Sequence, residues 1–597
     1  RHFEKLILET CRDNFALGFK MYCAVKACKG RVTSTGKMPS LLSALGSSAA
    51  AREQALARER AVTHLQSALQ QTAARSFSTE NNSSATVNVG ADQFCDLEKL
   101  TDSLSQLSTD LVPLSESARK RHLFDSLHQM NSLLHHRIGL QHPTSTASPI
   151  SLDTSRSSLC ATRIANALAF PLLSASAAVP APLRRVLNIV VSECCLLSSQ
   201  ERCPFLVFAE TADLVPNIHS SRSEYSTSAP IKSTLTSTIS ERTSSRVLKR
   251  KHSNHSISPL ISSQDEPWAS KVQRIRDSSP FSHLVGWKLS PFVVKSGSDL
   301  RREALAMQFI NLFRRIFAIE GVDIVLKPYE ILSTGFDTGW IEYVEGTTSI
   351  DRVKKSARWK NESLLVDYSN NFTNSHHANA TNKCVENCNI SRSTSGNSGI
   401  PTDALNNLSL KQHFCDLYGP PQNALHQQAM SNFARSLAGY SLVTFILQVK
   451  DRHNGNILLD SAGHLIHIDF GFIFGHSPAF NINFESAPFK LTAEYIEVLG
   501  GLTSPHYELF KQLFMQGFQA LYKHADSVIT LAEASFTEES LVAGTRKQSG
   551  GVVESLRKRL ESGKSISDIQ ALVEESKHSV RTTIYDWIQE NTNNILM

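Results

Sequence analysis

Apolar residues recur every three to four positions in three stretches of the N-terminal part, and this spacing predicts amphipathic helices. The first stretch, residues 1–29, ends at Gly30, and we expect it to be the remnant of a larger helical domain. The other two stretches, Phe94–Leu111 and Ser115–Ile138, are separated by Val112–Pro113. They predict two helices joined by a short turn.

Short apolar runs with polar residues between them predict strands in the middle of the chain. Two such runs are Val186–Val191 and Phe205–Phe208, and ordered sequence resumes at Glu266–Trp268. Stretches rich in Ser, Thr, Pro and Asn separate these parts. They lack the large apolar side chains of a packed core, which predicts linkers and insertions. Within the first of them, Ala50–Gln71 has the composition of a helix.

Length and composition exclude some classes of protein. The 597 residues exceed what one hydrophobic core serves, so we expect two or more globular regions. The net charge of +6 is spread along the chain, without a nucleic-acid-binding tail. The 11 cysteines form no regular framework, which favours free thiols in a reducing compartment. No run approaches the roughly 18 apolar residues of a membrane span, so any membrane contact is expected to be peripheral.

The most informative segment contains two short apolar runs, Ile457–Leu459 and Leu465–Ile468. Turn residues lie between them at Asp460–Gly463, which predicts a β-hairpin. Asn456 and Asp469 lie just outside the two runs, so the hairpin brings them together at its open end. An amide oxygen beside a carboxylate suits Mg²⁺, which completes its shell with water and phosphate oxygens.

Asp451 precedes Asn456 on the loop that leads into this hairpin. From there it can orient or deprotonate an attacking hydroxyl. An aspartate before an apolar run is usually a turn residue or a cap. The joint order of Asp451, Asn456 and Asp469-Phe-Gly471 is the order that kinase catalytic and metal loops use, so the set predicts a kinase.

A kinase also needs a cation on the nucleotide phosphates, at the end of an upstream strand. Phe292-Val-Val-Lys295 provides it. A turn with the N-cap candidates Ser298 and Asp299 follows, and then a predicted helix in which Glu303 is within reach of Lys295. An ion pair between the two would hold the ammonium group in place.

The turn Ser278-Ser-Pro-Phe-Ser282 precedes that strand, and it carries small residues but is not a Gly-x-Gly-x-x-Gly loop. We expect phosphate contacts here from backbone N–H groups and from the hydroxyls of Ser279 and Ser282. The turn is therefore a candidate phosphate-binding loop.

The segment Asp451-Arg-His-Asn-Gly-Asn456 reverses the His-Arg-Asp order of protein kinases and resembles the matching motif of the phosphatidylinositol 3-/4-kinase superfamily. The resemblance covers residues 182–597 without the insertions, and it is fainter in 1–29 and 92–140. The other segments that carry it are Glu266-Pro-Trp268, Arg274-Ile-Arg276, Ser279-Pro280, Lys327-Pro-Tyr329, Trp340–Val344, Asp469–Phe472, Phe484–Thr492 and Thr583–Asp586.

The resemblance implies an α+β fold. It is a bilobal, protein-kinase-like lipid kinase core with a β-rich N-lobe and a mainly helical C-lobe, preceded by helical segments and disordered linkers. The expected boundaries are 1–29 for the helical remnant, 30–91 for a linker, 92–140 for a helical segment, 141–181 for a second linker, 182–215 for the first N-lobe strands, 216–263 for a disordered Ser-rich insertion, 264–344 for the N-lobe and hinge, and 345–597 for the C-lobe, with an Asn/Ser-rich insertion at 369–409.

The resemblance also implies roles in binding ATP. Lys295 would contact the phosphates and take part in catalysis, and Glu303 would pair with it. Where the family usually reads Gly-Asp-Asp-Leu-Arg-Gln-Asp/Glu, this chain reads Gly297-Ser-Asp-Leu-Arg-Arg-Glu303, so one acid is lost and Arg302 replaces a glutamine. The other residues that would bind the nucleotide are Ser279, Ser282, Tyr329, Glu342, Val344, Leu458 and Ile468.

The catalytic roles implied by the resemblance fall on the hairpin and the loop before it. Asp451 would be the catalytic-loop aspartate, and His453 would face the transferring phosphate. Asn456 and Asp469 would hold Mg²⁺, with Mn²⁺ as the alternative ion.

The implied activity is transfer of the ATP γ-phosphate to the 4-hydroxyl of phosphatidylinositol, in support of phosphoinositide signalling and membrane traffic at the Golgi or another cytosolic membrane face. The family implies Rab-type small GTPases and Golgi adaptor proteins as partners, and no nucleic acid. The segment Asp469–Glu494 lacks the clustered Lys or Arg that a phosphorylated headgroup needs, which favours unphosphorylated phosphatidylinositol. Lys490 is the candidate for the one cation that this headgroup needs. A last helix is predicted at Glu574–Glu590.

Two alternatives to a lipid kinase remain. A protein serine/threonine kinase of the related branch shares the Asp-Arg-His order, but that branch is usually far longer and ends in a characteristic tail that this sequence does not show. A pseudokinase scaffold would be favoured by loss of Lys295, Asp451, Asn456 or Asp469, and all four are present.

Overall fold

The structure is a computed structural model in which helices and antiparallel strands both contribute. The structure describes residues 2–11, 14–28, 60–73, 75, 88–139, 166–172, 184–197, 202–213, 266–284, 286–356, 410–475, 487–536, 549–577, 590 and 595. The helix predicted at Glu574–Glu590 lies largely outside these ranges.

The helices predicted in the N-terminal part are present. They are α1 (His2–Cys11), α2 (Phe15–Cys28), α3 (Asn88–Asp110) and α4 (Glu116–Arg137). The ring centroids of Tyr22 and Phe94 lie 4.8 Å apart, and that of Phe19 lies 5.1 Å from Phe94. Helices α2 and α3 therefore share one apolar core.

Regular structure also occurs within both predicted linkers. Residues 60–73 are helical in the first, and β1 (Leu168–Ala169) lies in the second. Leu69 is fully buried. Helix α2 comes close because Gly18 has no side chain, since a Cβ atom there would lie 2.9 Å from the Cβ of Ala73. The helix at residues 60–73 overlaps Ala50–Gln71, whose composition predicted a helix, whereas composition missed β1 because its packing partners are distant in sequence.

Seven antiparallel strands form the N-lobe sheet in the described part of the chain. They are β1, β2 (Arg184–Ile189), β3 (Cys195–Leu196), β4 (Phe205–Asp213), β5 (Lys288–Ser296), β6 (Ile331–Ser333) and β7 (Thr338–Glu342). Their order is β1-β2-β4-β5-β7-β6, with β3 paired to the start of β4. Helix α5 (Trp268–Ser278) packs on one face, and α3 packs on the other.

The alternation of side chains along β5 decides which residue faces the cleft between the lobes. Val294 belongs to the core that contains Phe94 of α3, and the hydroxyl of Ser296 donates to Ser108 Oγ at 2.8 Å. Successive side chains of a strand point to opposite faces. Lys295 therefore projects from the face that α3 does not cover.

Helix α6 (Arg301–Ile319) joins the N-lobe to the C-lobe through its buried apolar side. Its start differs from the prediction, because the N-cap is Leu300 and not Ser298 or Asp299. Asp299 still contributes, since its Oδ1 accepts the backbone N–H of Arg301 at 3.1 Å. The carboxylate thus satisfies an N–H group of the first helical turn.

The C-lobe is mainly helical, as predicted. Helix α8, in the centre, is buried on nearly all sides, which explains why its sequence is apolar without a clear polar face. No described helix is both long and apolar enough to cross a membrane. The helices are α7 (Leu410–Tyr418), α8 (Ala424–Leu447), α9 (Ala493–Val498), α10 (Pro505–Lys523), α11 (Ala525–Ser535), α12 (Ser549–Glu561) and α13 (Ile566–Lys577).

The predicted hairpin is present and carries a third strand. It consists of β8 (Thr347–Ser349), β9 (Ile457–Asp460) and β10 (Leu465–His467), in the order β10-β9-β8. Ile466 lies opposite Leu458 in the register. The turn contains Gly463 at φ +87°, where a Cβ atom would lie 2.9 Å from the carbonyl oxygen of Ala429. Both the backbone conformation and the close approach of α8 therefore require glycine.

Gly439 in α8 allows the close approach of the segment before β6, and its substitution tests this packing. A Cβ atom there would lie 2.7 Å from Ile324 Cγ2, a branched side chain that cannot move aside easily. We expect Gly439→Ala to lower the free energy of unfolding by about 1–3 kcal/mol. Gly551→Ala in α12 is the control, because nothing lies within 4 Å of that position. It should be neutral or stabilising by up to about 1 kcal/mol in denaturant unfolding. Equal effects of both variants would contradict the packing argument.

Candidate active site

Backbone strain is concentrated in the two loops that the sequence predicted to be functional. Asp451 and Asp469 have φ values of +67° and +56°, and Gln448 and Phe474 nearby are also positive. Among the described residues, no other non-glycine residue is recorded with positive φ. Such conformations persist where surrounding contacts hold them, and they cluster at functional sites.

The hairpin brings Asn456 and Asp469 together at its open end, as predicted. The backbone N–H of Ile468 donates to the carbonyl of Asn456 at 3.0 Å, which places Asp469 directly beyond the last rung. The side-chain Nδ2 of Asn456 donates to the carbonyl of Asp451 at 2.9 Å. This bond directs the amide nitrogen towards Asp451, at the start of the catalytic loop (residues 451–456), and the amide oxygen away from that carbonyl.

Lys295 reaches this point from the N-lobe. Its Nζ lies 3.4 Å from Asp469 Oδ2, and the Asp469 side chain remains 42% exposed to the cleft. Burial alone would lower the pKa of Lys295, but the charges of Asp469 and Glu303 outweigh it and raise that pKa. Burial would raise the pKa of Asp469, but Lys295 and Arg452 lower it. Both groups are therefore charged at neutral pH.

Glu303 does not pair directly with Lys295, which corrects the sequence prediction. Its buried carboxylate accepts the hydroxyl of Tyr329 at 2.6 Å, and it also accepts the backbone N–H of Phe470. The Tyr329 oxygen accepts the backbone N–H of Asp469 at 3.2 Å. Glu303 and Tyr329 thus hold the backbone of the segment Asp469–Gly471, the metal loop. Glu303 influences Lys295 only through its charge.

Arg452 is a residue of the candidate site to which the sequence analysis gave no role. Its guanidinium is buried and donates to the carbonyls of Ile468 at 2.8 Å and Asp469 at 2.5 Å. It also lies 5.4 Å from the ring centroid of Phe470. A buried arginine in the catalytic loop satisfies carbonyls that the bent metal loop cannot pair with itself. Its position next to Asp451 was the available sequence signal.

His453 presents a neutral imidazole to the site. Burial lowers its pKa, Asp451 opposes this change, and Arg452 and Lys490 lower the pKa further. Its Nδ1 accepts the N–H of Gly455 at 3.1 Å, so in the neutral ring the proton resides on Nε2. That atom lies 3.9 Å from Asp451 Oδ2, too far for a hydrogen bond. The Nε2–H group is therefore suited to donate to an anion.

The predicted hinge residues lie at the other end of the sheet. The backbone N–H of Glu342 and its carboxylate both bond the backbone of Glu330, at 2.8 Å each. The carbonyl of Val344 accepts the hydroxyl of Thr347 at 2.7 Å, which fixes the start of β8. Strand β8 pairs with β9 at Leu458. This pairing brings the hinge beside the hairpin residues Leu458 and Ile468, which were predicted to bind the nucleotide and are, like Val344, half-buried.

The structure does not bring Ser279 and Ser282 to the phosphate end of the cleft. The hydroxyl of Ser279 donates to the carboxylate of Glu210, and that of Ser282 donates to the carbonyl of Ser279 at 3.1 Å. Glu210 pairs with Leu289 at the start of β5. Lys295 lies at the opposite end of this strand, about 20 Å away at the usual rise per residue. The two serines stabilise the hinge side of the sheet.

Arg202 lies where the serines were expected. Its guanidinium donates to the hydroxyl of Ser298, and its Nε would lie 3.6 Å from a Cβ atom on Gly297. Its charge opposes the rise in the pKa of Lys295. Sequence patterns missed it because the residues before β4 contain no glycine-rich motif. Ser298, which replaces the usual acid, is its observed partner.

Lys490 was predicted to bind the lipid headgroup, but its side chain is buried. It is 7% exposed, and its Nζ donates to the carbonyl of Arg452 at 3.1 Å and to Oδ1 of Asn454 at 3.3 Å. The ammonium group therefore lies beneath the catalytic loop. The sequence could not show this direction, because it depends on how residues 489–492 pack on the C-lobe.

Comparison with protein families indicates the class of protein that this chain resembles. Residues 289–543 match the family model described as phosphatidylinositol 3- and 4-kinase. The resemblance drawn from the sequence is confirmed over these residues, which are similar to that family.

Individual relatives carry a narrower name. Proteins named phosphatidylinositol 4-kinase beta from Rattus norvegicus, Mus musculus and Homo sapiens are each 36% identical to this chain over 335 residues. The match includes 55% of this chain and 35% of each relative. The matched part of the chain thus spans about a third of the length of these curated relatives.

Substitution of Tyr329 tests whether its hydroxyl holds the metal loop, and substitution of Tyr440 serves as the control for general stability. Tyr329→Phe leaves the Glu303 carboxylate and the Asp469 N–H without this hydroxyl. We expect it to lower kcat by about tenfold or more and the free energy of unfolding by about 1–3 kcal/mol. Tyr440→Phe is the control, because its hydroxyl bonds the backbone of Lys327, at 3.2 Å, outside the cleft. Its kcat should stay within about twofold of the unsubstituted protein, although its unfolding free energy falls by about 1 kcal/mol. Equal kcat values for the two variants would contradict the role of Tyr329.

Proposed function

We propose that this chain is an ATP- and Mg²⁺-dependent lipid kinase that phosphorylates the 4-hydroxyl of phosphatidylinositol. The observation that carries the proposal is the meeting of Lys295, Asp451, Asn456 and Asp469 at one point of the cleft. The relatives named phosphatidylinositol 4-kinase beta support the choice of lipid and of hydroxyl.

The reaction transfers one phosphoryl group between two oxygens. The inositol hydroxyl oxygen bonds to the γ-phosphorus, the bond from that phosphorus to the β,γ-bridging oxygen breaks, and ADP leaves. Asp451 orients the hydroxyl and accepts its proton. Lys295 binds the ATP phosphates, and the neutral His453 donates its Nε2–H to the transferring group.

Asn456 and Asp469 are the residues that would hold the metal ion. An amide oxygen and a carboxylate are hard ligands of the kind that Mg²⁺ takes, with Mn²⁺ as the alternative. The arrangement fits, because the Asp469 backbone is held by Tyr329 and Arg452 while its carboxylate faces the cleft. When bound, the ion supplies neutralisation of the phosphate charge.

Charge along the segment after the metal aspartate favours an unphosphorylated inositol ring. Between Gly471 and Leu491 the sequence contains His476 and Lys490 as its potentially cationic groups. Lys490 is committed to the catalytic loop, which leaves still less positive charge for ring phosphates than the sequence suggested. Phosphatidylinositol, with one bridging phosphate and neutral hydroxyls, suits such a segment.

The site of action that follows is the cytosolic face of a membrane, at the Golgi or elsewhere. Peripheral binding brings the enzyme to its lipid there. Rab-type small GTPases and Golgi adaptor proteins are the proposed partners, and the resemblance to the family is what supports them.

A substrate panel tests the proposed activity. The protein is incubated with γ-labelled ATP and with vesicles that contain phosphatidylinositol, its monophosphate or its bisphosphate, and separately with protein substrates. We expect phosphatidylinositol to be phosphorylated about tenfold faster than either phosphorylated lipid, and chromatography of the deacylated product to identify the 4-phosphate. A 3-phosphate product would overturn the regiochemistry. Transfer to protein alone would favour the protein kinase, and no transfer would favour the scaffold.

Substitution of the metal ligands tests the assignment of the site. We expect Asp469→Asn and Asn456→Ala each to lower kcat at saturating Mg²⁺ by at least about 100-fold, because both ligands act on the phosphate charge during transfer. Chelation of divalent ions with EDTA should abolish activity of the unsubstituted protein. Circular dichroism and the unfolding midpoint serve as controls for the fold. A variant that keeps near-normal kcat would remove that residue from the metal site.

A further inference from the structure

Residues 489–492 form a strap between the C-lobe helices and the catalytic loop. Phe489 is buried, and its ring centroid lies 4.9 Å from that of Phe514 in α10. At the other end, the hydroxyl of Thr492 caps the first turn of α9. The backbone is anchored on both sides of Lys490, which fixes the point from which its side chain extends.

Lys490 extends from this strap to both halves of the catalytic loop. Its Nζ donates to the carbonyl of Arg452 at 3.1 Å and to the side-chain oxygen of Asn454 at 3.3 Å. Arg452 directly follows Asp451, and Asn454 directly follows His453. One ammonium group therefore holds the residues next to both proposed catalytic side chains.

Arg452 continues this chain of contacts into the metal loop. Its carbonyl accepts from Lys490, and its guanidinium donates to the carbonyl of Asp469. The strap, the catalytic loop and the metal loop are thus linked by two buried cations. Such cations are costly to bury unless hydrogen bonds compensate them, whereas an apolar side chain would fill the space without that cost. The buried lysine indicates a task that requires its N–H donors.

We propose that Lys490 is a positioning residue for phosphoryl transfer, which holds the catalytic loop and does not bind the lipid headgroup. The proposal rests on the proposed kinase function. Displacement of a catalytic group by about 1 Å can cost on the order of 100-fold in rate, so the effect belongs in kcat. Binding of ATP through Lys295 should change little.

The first experiment compares two buried lysines. Lys490→Met removes the contacts with the catalytic loop. Lys354→Met is the control, because the Lys354 side chain is 11% exposed and its Nζ pairs with Glu494 of α9 at 2.7 Å, whereas Lys490 bonds the catalytic loop. We expect Lys490→Met to lower kcat by about 10- to 100-fold, with the KM for ATP and for phosphatidylinositol within about threefold of the unsubstituted protein. Lys354→Met should keep kcat within about threefold.

A double-mutant cycle tests the contact from its other side. Asn454→Ala removes one acceptor while Lys490 stays in place. If both residues act through one contact, the double variant should be about as slow as the slower single variant. The effects of Lys354→Met and Asn454→Ala should multiply instead. This comparison works even where each substitution lowers stability.

Two readouts need no lipid and separate this proposal from the proposed function. Amide hydrogen exchange at residues 451–456 should become faster in Lys490→Met and not in Lys354→Met, and basal ATP hydrolysis should fall only in Lys490→Met. These results would support the positioning role even if phosphatidylinositol is not the substrate. An unchanged kcat with a raised KM for phosphatidylinositol would restore the headgroup role and overturn the proposal. Multiplying effects in the Lys490 cycle, or unchanged exchange, would overturn it too.

Discussion

The buried guanidinium of Arg452 is the contact on which the geometry of the candidate site depends. Asp451 and Asp469 both have left-handed backbone conformations, which a non-glycine residue adopts at a cost of about 1–2 kcal/mol. The buried guanidinium of Arg452 bonds the carbonyl of Asp469, while Lys490 bonds the carbonyl of Arg452. The strained loops are therefore held by charge-assisted hydrogen bonds in a dry environment, where such bonds are strongest.

Features that depend on neighbours in sequence were predictable. The hairpin follows from two apolar runs around Asp460–Gly463, and its register then places Asn456 beside Asp469 without further information. The strand that ends at Lys295 and the helix after it follow from the same local periodicities. In each case the pattern of apolar positions predicts the element, and in the hairpin it also predicts the register.

Features that depend on contacts between distant segments were not predictable. Glu303 is within helical reach of Lys295, but its carboxylate bonds Tyr329, which comes from a separate segment. Lys490 was expected to face a headgroup because charge alone cannot show whether a lysine projects outward or beneath a loop. No sequence pattern indicated the position of Arg202, because it depends on a contact with Ser298, which is distant in sequence. Long polar side chains have several possible partners, and only packing selects among them.

The folded unit around the kinase motifs extends well before the part that matches the family. The match begins at residue 289, within β5, yet β5 pairs along its length with β4, which lies outside the match. Strand β4 is buried on both faces, between α5 and the N-terminal helices. Without it, the strand that carries Lys295 would expose a row of N–H and C=O groups and lose its cover on one side. Helix α3 adds the contact of Ser108 with Ser296, next to Lys295. The direction of Lys295 depends on how β5 packs against β4 and α3. The N-terminal helices are therefore structural parts of the candidate active site.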